Sequence, residues 1–430
     1  MLPRFLNSSC LGATLLPCLV LAMGVEAVSR FRDTRFYTFL DVTGENEKRL
    51  WRLVDDNYPE VQYASCSGED ALRISNAVVS RNREFLREFA IELSECNETS
   101  AQPTPHRSKR SSDFAYEEFH PYAEIQAWVR DFSSQHHNVV SAFNLSRQSF
   151  EGRDIVGIRI SGADTNPDNK SAILIEACIH AREWITHAST IYFAKMLVED
   201  YEAGSASAIA LLNQFTVYII PVLNPDGYEF TRRGTRLWRK TRSVHAGMTP
   251  GSKCIGVDGN RNFAYRFGGA GTSPSFCSYL YPGPHAFSEP ETVALRQLTE
   301  ELGPRLTVYL SVHSYGQLVL TPSADDGLDD EAHYAQVELA AAYFASGVMR
   351  ATGAVYIAGK FADVVYEVSG SSVDYLYEKG VPYSIVVELA PLQRRQSYKF
   401  VPPTSAILPG ANELYGGFTH MMEFVQRQMD

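Results

Sequence analysis

Near-continuous apolar segments restrict what most of this chain can fold into. They carry too few polar residues to alternate between a core face and a solvent face, which is typical of strands buried on both faces of a sheet. Helical patterns at residues 190–202, 291–303 and 335–352 lie between or near them. The pattern predicts an α/β fold with a mixed central sheet that helices cover on both faces. The apolar segments are residues 154–160, 171–180, 215–224, 306–315 and 383–390.

The N-terminus is typical of a secretory signal peptide. Arg4 supplies a positive charge, residues 11–24 supply an apolar core, and residues 25–27 supply a cleavage site that ends in alanine. The alternative is a membrane anchor, but the apolar run is short for a span and no stop-transfer pattern follows it. We therefore expect residues 1–27 to be removed and the protein to be secreted.

A polar, proline-containing segment, residues 98–112, divides the remaining chain and has the composition of an exposed linker. Its basic stretch Arg107–Arg110 is either a solvated charge run or a site for a processing protease that cleaves after Arg110. The secretory context favours processing. We expect a small α+β unit at residues 28–110, which covers part of the protein until the linker is cut, and a large unit at 111–430.

The secretory context also favours disulfide bonds. Cys66 and Cys96 are expected to pair within the small unit. Cys254 and Cys277 close a loop rich in glycine and serine, which a bridge would make rigid. Cys178 lies inside an apolar segment and is expected to be a buried free thiol. Sequons that could carry glycans begin at Asn97, Asn144 and Asn169.

The net charge of -11 disfavours nucleic acid and anionic membranes as partners. No interior apolar run reaches the length that a bilayer span needs. In α/β proteins, ligands bind beyond the carboxyl ends of the strands, so we expect the functional site of this chain there.

Metal-ligating side chains follow two of the predicted strands. His180 ends one apolar segment, and Glu183 lies three residues later, so both can meet on one side of a turn and share a metal. His-x-x-acid pairs also arise by chance, and a zinc site needs a third protein ligand. His313 ends a second apolar segment and is the natural candidate. Two strand-end histidines in one sheet favour a ligand pair over hydrogen-bonded core histidines.

A carboxylate and several loop arginines add to this pattern. Glu388 lies near the end of a strand that is otherwise apolar, where it is either paired with an arginine or poised as a general base beside a metal. Arg239 and Arg242 occupy one loop, and Asn260 and Arg261 occupy another. Guanidinium groups bind carboxylates through two parallel hydrogen bonds, so the pattern indicates a substrate with a free carboxylate, with surface salt bridges as the alternative.

These motifs, in this order, resemble the zinc metallocarboxypeptidases of the pancreatic carboxypeptidase A/B type. The resemblance covers nearly all of residues 111–430. The small unit is similar to the activation domain of the family, which covers the active site of the zymogen. The motifs that carry the resemblance are YAEIQAWVRDF, SFEGRDI, HAREWI, NPDGY, LWRKTRS, VDGNRNF, HSYGQ, GSSVDYLYEKG and VVEL.

The resemblance implies that His180, Glu183 and His313 hold one zinc ion. It makes Glu388 the general base and later the proton donor. Arg242 would polarise the scissile carbonyl and stabilise the oxyanion. The implied reaction is hydrolytic release of one amino acid from the C-terminus of a peptide or protein.

Other residues are implied in substrate binding. Asn260 and Arg261 would bind the terminal carboxylate, and Tyr366 would be the mobile tyrosine that closes over the C-terminal residue. Arg182, Ser314 and Tyr315 would line the subsites upstream of the scissile bond. Cys254 and Cys277 would form the loop disulfide of the family.

The pocket for the C-terminal side chain is predicted to be apolar. The family's specificity position aligns with Val373, where B-type enzymes carry an aspartate that pairs with lysine or arginine. Valine favours the A-type preference for aliphatic or aromatic ends. Asp325 and Asp326, and the departure from the family pattern after Glu388, keep a B-type pocket as an alternative. The neighbouring pocket positions are Leu320, Ala324, Val368 and Val386.

Two further classes remain. One is a catalytically silent peptide-binding protein on the same scaffold. Such a protein would carry another residue in place of a metal ligand, of the base Glu388 or of Arg242, and this sequence keeps all of them. An endopeptidase would not need the carboxylate clamp of Asn260 and Arg261. The resemblance also suggests a monomer.

Overall fold

The computed structural model describes residues 34–39, 61–66, 69–75, 90–93, 114–163, 166–323, 331–389, 392–393, 396–397 and 400–429. The chain divides into two compact units, Met1–Gln102 and Pro103–Asp430. Several predicted features lie outside the described residues. They are the signal peptide, Arg107–Arg110, Cys96, Asn97, Ala324, Asp325 and Asp326.

The N-terminal unit contains a four-stranded antiparallel sheet with the strand order β2-β3-β1-β4. The strands are β1 (Thr34–Phe39), β2 (Val61–Cys66), β3 (Glu69–Ser75) and β4 (Ala90–Leu93).

The C-terminal unit is built on an eight-stranded mixed sheet with the order β11-β10-β12-β9-β7-β8-β6-β5. The four central strands, β12, β9, β7 and β8, run parallel, while β10 and β6 join them antiparallel. The mixed sheet that the sequence predicted is confirmed. Its strands are β5 (Val140–Gln148), β6 (Asp154–Ile160), β7 (Ser171–Ala177), β8 (Phe215–Ile220), β9 (Leu306–Ser314), β10 (Leu318–Thr321), β11 (Ile357–Lys360) and β12 (Tyr383–Leu389).

Two apolar cores lie on opposite faces of this sheet, which is why the central strands carry apolar residues on both faces. In β7, Ile173 and Ile175 belong to one core, whereas Leu174 belongs to the other. Helices α1, α2, α6 and α9 contribute to the first core and α5 and α8 to the second. The helices are α1 (Tyr122–Gln135), α2 (Trp184–Glu202), α3 (Ala206–Gln214), α4 (Pro225–Arg232), α5 (Pro290–Leu302), α6 (Glu331–Thr352), α7 (Phe361–Val364), α8 (Ser372–Glu378) and α9 (Ile407–Met429).

A small two-stranded ribbon, β13 (Leu392–Gln393) and β14 (Gln396–Ser397), follows β12. It lies in the segment where the sequence departs from the family pattern. Within the described ranges, no helix has the length and apolar character needed to span a bilayer. The sequon residues Asn144 and Asn169 are both exposed.

Candidate metal centre

Three metal-ligating side chains meet at the carboxyl edge of the sheet. His180 follows β7 in a turn, Glu183 directly precedes the first residue of α2, and His313 lies near the end of β9. Because β7 and β9 are adjacent and parallel, their carboxyl ends share one edge. The turn after the first strand and the end of the second therefore present their side chains to the same point, as the sequence predicted.

The geometry fits a metal. The Nδ1 atoms of His180 and His313 lie 3.1 Å apart. The two oxygens of Glu183 lie 2.8 Å from Nδ1 of His180 and 3.2 Å from Nδ1 of His313. Tetrahedral zinc ligands at about 2.1 Å from the ion are about 3.4 Å from one another, so these spacings suit a His2Glu zinc site. All three residues are buried.

The electrostatics of this cluster favour a cation. Burial opposes ionisation of Glu183, but the two histidines outweigh it and lower the pKa of that carboxyl. Burial also disfavours a charged His313, yet Glu183 raises the pKa of this imidazole to about 9. Glu183 therefore favours a positive charge beside His313, whether a proton or a metal ion.

Asp258, which the sequence did not predict as a site residue, contacts His180 on the side of the imidazole away from the metal position. Asp258 accepts a hydrogen bond from Nε2 of His180 at 3.2 Å, which directs Nδ1 towards the metal position. Its other oxygen accepts two hydrogen bonds from Arg239, at 3.0 Å each. Burial opposes ionisation of Asp258, but Arg239 and Arg261 hold its pKa well below the ordinary value. The only sequence signal was an acidic residue just before Asn260.

The arginine beside the metal cluster is Arg239, and the assignment of this position to Arg242 needs correction. Nη1 of Arg239 lies 3.1 Å from Nδ1 of His180 and 3.8 Å from Glu183. The guanidinium of Arg242 instead lies over the rings of Phe230 and Trp238, at 3.6 and 4.7 Å from their centroids. This segment forms no helix, so residues three apart do not share a face as they would on one.

The predicted carboxylate-binding residues come together next to the metal ligands. Arg261 donates a hydrogen bond to the hydroxyl of Tyr366 at 3.0 Å and another to the carbonyl of Asn260 at 2.8 Å. The side-chain amide nitrogen of Asn260 lies 3.4 Å from Nε2 of His313. Tyr366 is 44% exposed, whereas Arg261 and Asn260 are buried. A polar cluster rich in donors therefore adjoins the metal position.

Glu388 lies on the strand next to His313. The two residues are register partners in the parallel pair β12 and β9. Oxygen Oε2 of Glu388 is buried and has no hydrogen-bond partner among the described residues. Burial is the main cause that raises the pKa of this carboxyl to about 7. A carboxyl group of this kind can hold and return a proton near neutral pH.

The residues predicted upstream of the scissile bond also lie together. The guanidinium of Arg182 lies 4.1 Å from the ring centroid of Phe400, and the Tyr315 ring packs against the same phenyl group at 5.0 Å. The backbone N–H of Ser314 donates a hydrogen bond to Glu183 at 3.2 Å. Phe400 was missed because it lies twelve residues past Glu388, within the segment that departs from the family pattern.

The predicted specificity residues form an apolar group. Leu320 and Val386 are cross-strand partners in β10 and β12, and both belong to the same buried cluster as Val373. Val368 is also buried.

The cysteines of the large unit behave as predicted. Cys254 and Cys277 form a disulfide bond, and Cys178 is a buried free thiol.

Comparisons with known proteins identify the family. The model of the M14 peptidases, described as zinc carboxypeptidase, matches residues 125–416. Carboxypeptidase A1 of Bos taurus is 37% identical over 319 residues, which are 74% of this chain and 72% of that protein. Carboxypeptidase A4 of Mus musculus is 35% identical over 328 residues, with 74% and 73% covered.

Comparison with solved structures supports the same family. Carboxypeptidase A from Helicoverpa armigera matches with a TM-score of 0.74 and 27% identity over 92% of this chain and 98% of that one. Bovine thrombin-activatable fibrinolysis inhibitor, in complex with tick carboxypeptidase inhibitor, matches with a TM-score of 0.64 and 29% identity over 73% and 99%. A buried His–Glu–His cluster that suits zinc, on this fold and with these relatives, places the chain in the zinc carboxypeptidase family as a metallocarboxypeptidase that acts on peptide C-termini.

Proposed function

We propose that this protein is a secreted exopeptidase that releases one aliphatic or aromatic residue from the C-terminus of its substrate. The observation that carries the proposal is the position of the Asn260–Arg261–Tyr366 cluster directly beside the metal ligands. A group that binds a terminal carboxylate here would leave the last peptide bond of the substrate near the metal.

The residues divide the chemistry between them. Zinc, held by His180, Glu183 and His313, supplies Lewis-acid chemistry when bound. Glu388 takes a proton from the attacking water and returns it to the leaving amine, for which a pKa near 7 is suited.

Arg239, rather than Arg242, offsets the negative charge that develops on the scissile carbonyl oxygen. Its side chain is only 11% exposed, it carries its charge at every physiological pH, and it lies next to the metal ligands. Asp258 holds this guanidinium in place through two hydrogen bonds before substrate arrives, so no reorganisation is needed during the reaction.

The apolar cluster around Val373 supports A-type specificity. On peptides that differ only in their last residue, we expect kcat/KM to be higher for C-terminal leucine than for arginine by about 100-fold or more, because an unpaired guanidinium in an apolar pocket costs several kcal/mol. Val373→Asp should narrow or reverse this ratio by supplying a counter-charge. A wild-type preference for arginine would contradict the apolar pocket and favour the B-type alternative.

Latency is a second part of the proposal. Residues 28–110 would act as an activation domain, and cleavage after Arg110 would release the enzyme. Replacing Arg107 and Arg110 by serine is expected to leave an uncut, latent precursor when the protein is secreted from eukaryotic cells. Trypsin-treated wild-type precursor serves as the active control. Full activity of the uncut variant would contradict the zymogen hypothesis.

A further inference from the structure

A buried carboxyl group in the middle of the sheet has no part in the chemistry described so far. Glu176 lies on β7 and is fully buried, with an exposed fraction of 0%. Burial is the main cause that raises the pKa of this carboxyl above its usual value. An apolar residue at this position would avoid the cost of desolvation, so a carboxyl group here calls for a partner that uses it.

That partner is Ser311 on the neighbouring strand. Glu176 and Ser311 are register partners in the parallel pair β7 and β9. The hydroxyl of Ser311 donates a short hydrogen bond to Oε1 of Glu176, and the hydroxyl of Tyr309 donates to the same oxygen at 3.2 Å. Ser311 is itself fully buried.

Ser311 also contacts a metal ligand. Its Oγ lies 2.9 Å from Nε2 of His313. A hydroxyl that donates to Glu176 has its lone pairs left to accept, so the matching group on His313 is an Nε2–H donor. The neutral imidazole then has its free lone pair on Nδ1, the atom that faces Glu183 and His180.

We propose that Glu176 and Ser311 are positioning residues that hold the His313 imidazole in the Nε2–H tautomer, with Nδ1 turned to zinc. The arrangement matches the contact between Asp258 and Nε2 of His180, with a serine hydroxyl inserted between the carboxyl group and the imidazole. A carboxyl group thus orients each histidine ligand on the side away from the metal position. Asp258 contacts His180 directly, and Glu176 acts on His313 through Ser311. Groups of this kind fix the orientation of a ligand and raise its basicity. The inference rests on the zinc site of the proposed function.

The test uses the processed enzyme and two variants, Ser311→Ala and Glu176→Gln. Ser189→Ala is the matched control, because Ser189 is equally buried and, among the described residues, its hydroxyl donates only to the backbone carbonyl of Ile407. The readouts are the zinc dissociation constant from chelator competition and the visible spectrum of the Co²⁺-substituted protein. Urea unfolding of the metal-free proteins reports any general loss of stability.

We expect the zinc dissociation constant to rise by about tenfold or more in Ser311→Ala and in the same direction in Glu176→Gln, with altered Co²⁺ spectra and an unchanged control. Zinc affinities within about twofold of the parent and unchanged spectra in both variants would overturn the inference, whatever the loss of stability. A parent protein that binds no zinc would instead contradict the proposed function itself.

Discussion

Replacing Glu388 by glutamine is expected to lower kcat by about 10²–10⁴-fold while zinc remains bound. The amide keeps the shape of the side chain but cannot take a proton from water or return it to the leaving amine. Because Glu388 lies beside the ligands and is not one of them, the metal content should be unchanged. The measurement is kcat on a peptide substrate together with the zinc content of the same sample.

Glu291→Gln is the matched control for this variant. Glu291 is also a buried carboxyl group, at the start of α5 and outside the site. Burial raises the pKa of this carboxyl well above its usual value, and glutamine keeps the shape of the side chain. Glu388→Gln with wild-type turnover would contradict its role as the base, and loss of zinc would point to a ligand role instead.

Replacing Arg239 by alanine is expected to lower kcat by about 10²–10³-fold, the usual cost of removing one group that stabilises an oxyanion. Arg242→Ala should lower it by less than about tenfold, since its guanidinium packs on Phe230 and Trp238 and does not face the ligands. The comparison is informative because the two residues lie in the same loop, carry the same charge and lose the same atoms.

Stability must be followed in this comparison, because Arg239→Ala leaves the buried Asp258 without its main counter-charge. If that variant unfolds, Arg239→Lys keeps the charge but loses the pair of hydrogen bonds that the guanidinium donates to one oxygen of Asp258. A large loss of kcat in Arg242→Ala, with Arg239→Lys unaffected, would restore the assignment made from the sequence.

The sheet and the metal ligands could be predicted because both follow from the apolar sequence of buried parallel strands. Strands buried on both faces give continuous apolar segments, and parallel strands bring their carboxyl ends to one edge. His180 and His313 each end such a segment, so the residues alone predicted that they would meet. Their pairing in adjacent strands, which the sequence did not state, made the prediction correct.

The arginine assignment failed because it depended on the backbone of a loop. Arg239 and Arg242 belong to one motif in a loop. A loop has no helical or strand periodicity, so the sequence does not predict which of the two side chains faces the metal. Asp258, Glu176 and Ser311 were missed for a related reason. Their roles depend on the hydrogen bonds of Asp258 to His180 and of Glu176 to Ser311, which join segments far apart in the chain. A single acid or serine carries no signal for such a contact.

Helix α9 was also missed, because its sequence argues against a helix. Pro409 lies in the first turn, where the helix tolerates it, and Gly410, Gly416 and Gly417 lower helix propensity further. The structure explains these glycines through packing. A Cβ at Gly417 would lie 2.3 Å from the ring of Phe344, and one at Gly410 would lie 2.6 Å from Oγ of Ser189. Close approach to α6 and α2 outweighs propensity here.

The most direct test of the account is the cleavage of two peptides by the processed enzyme, one ending in leucine with a free carboxylate and the other with the same sequence as a C-terminal amide. Mass spectrometry of the products, with and without a zinc chelator, shows which bond is cut. The account predicts release of leucine alone from the free acid, loss of this release on chelation, and little or no cleavage of the amide. Equal cleavage of the amide, or cleavage at internal bonds, would contradict it.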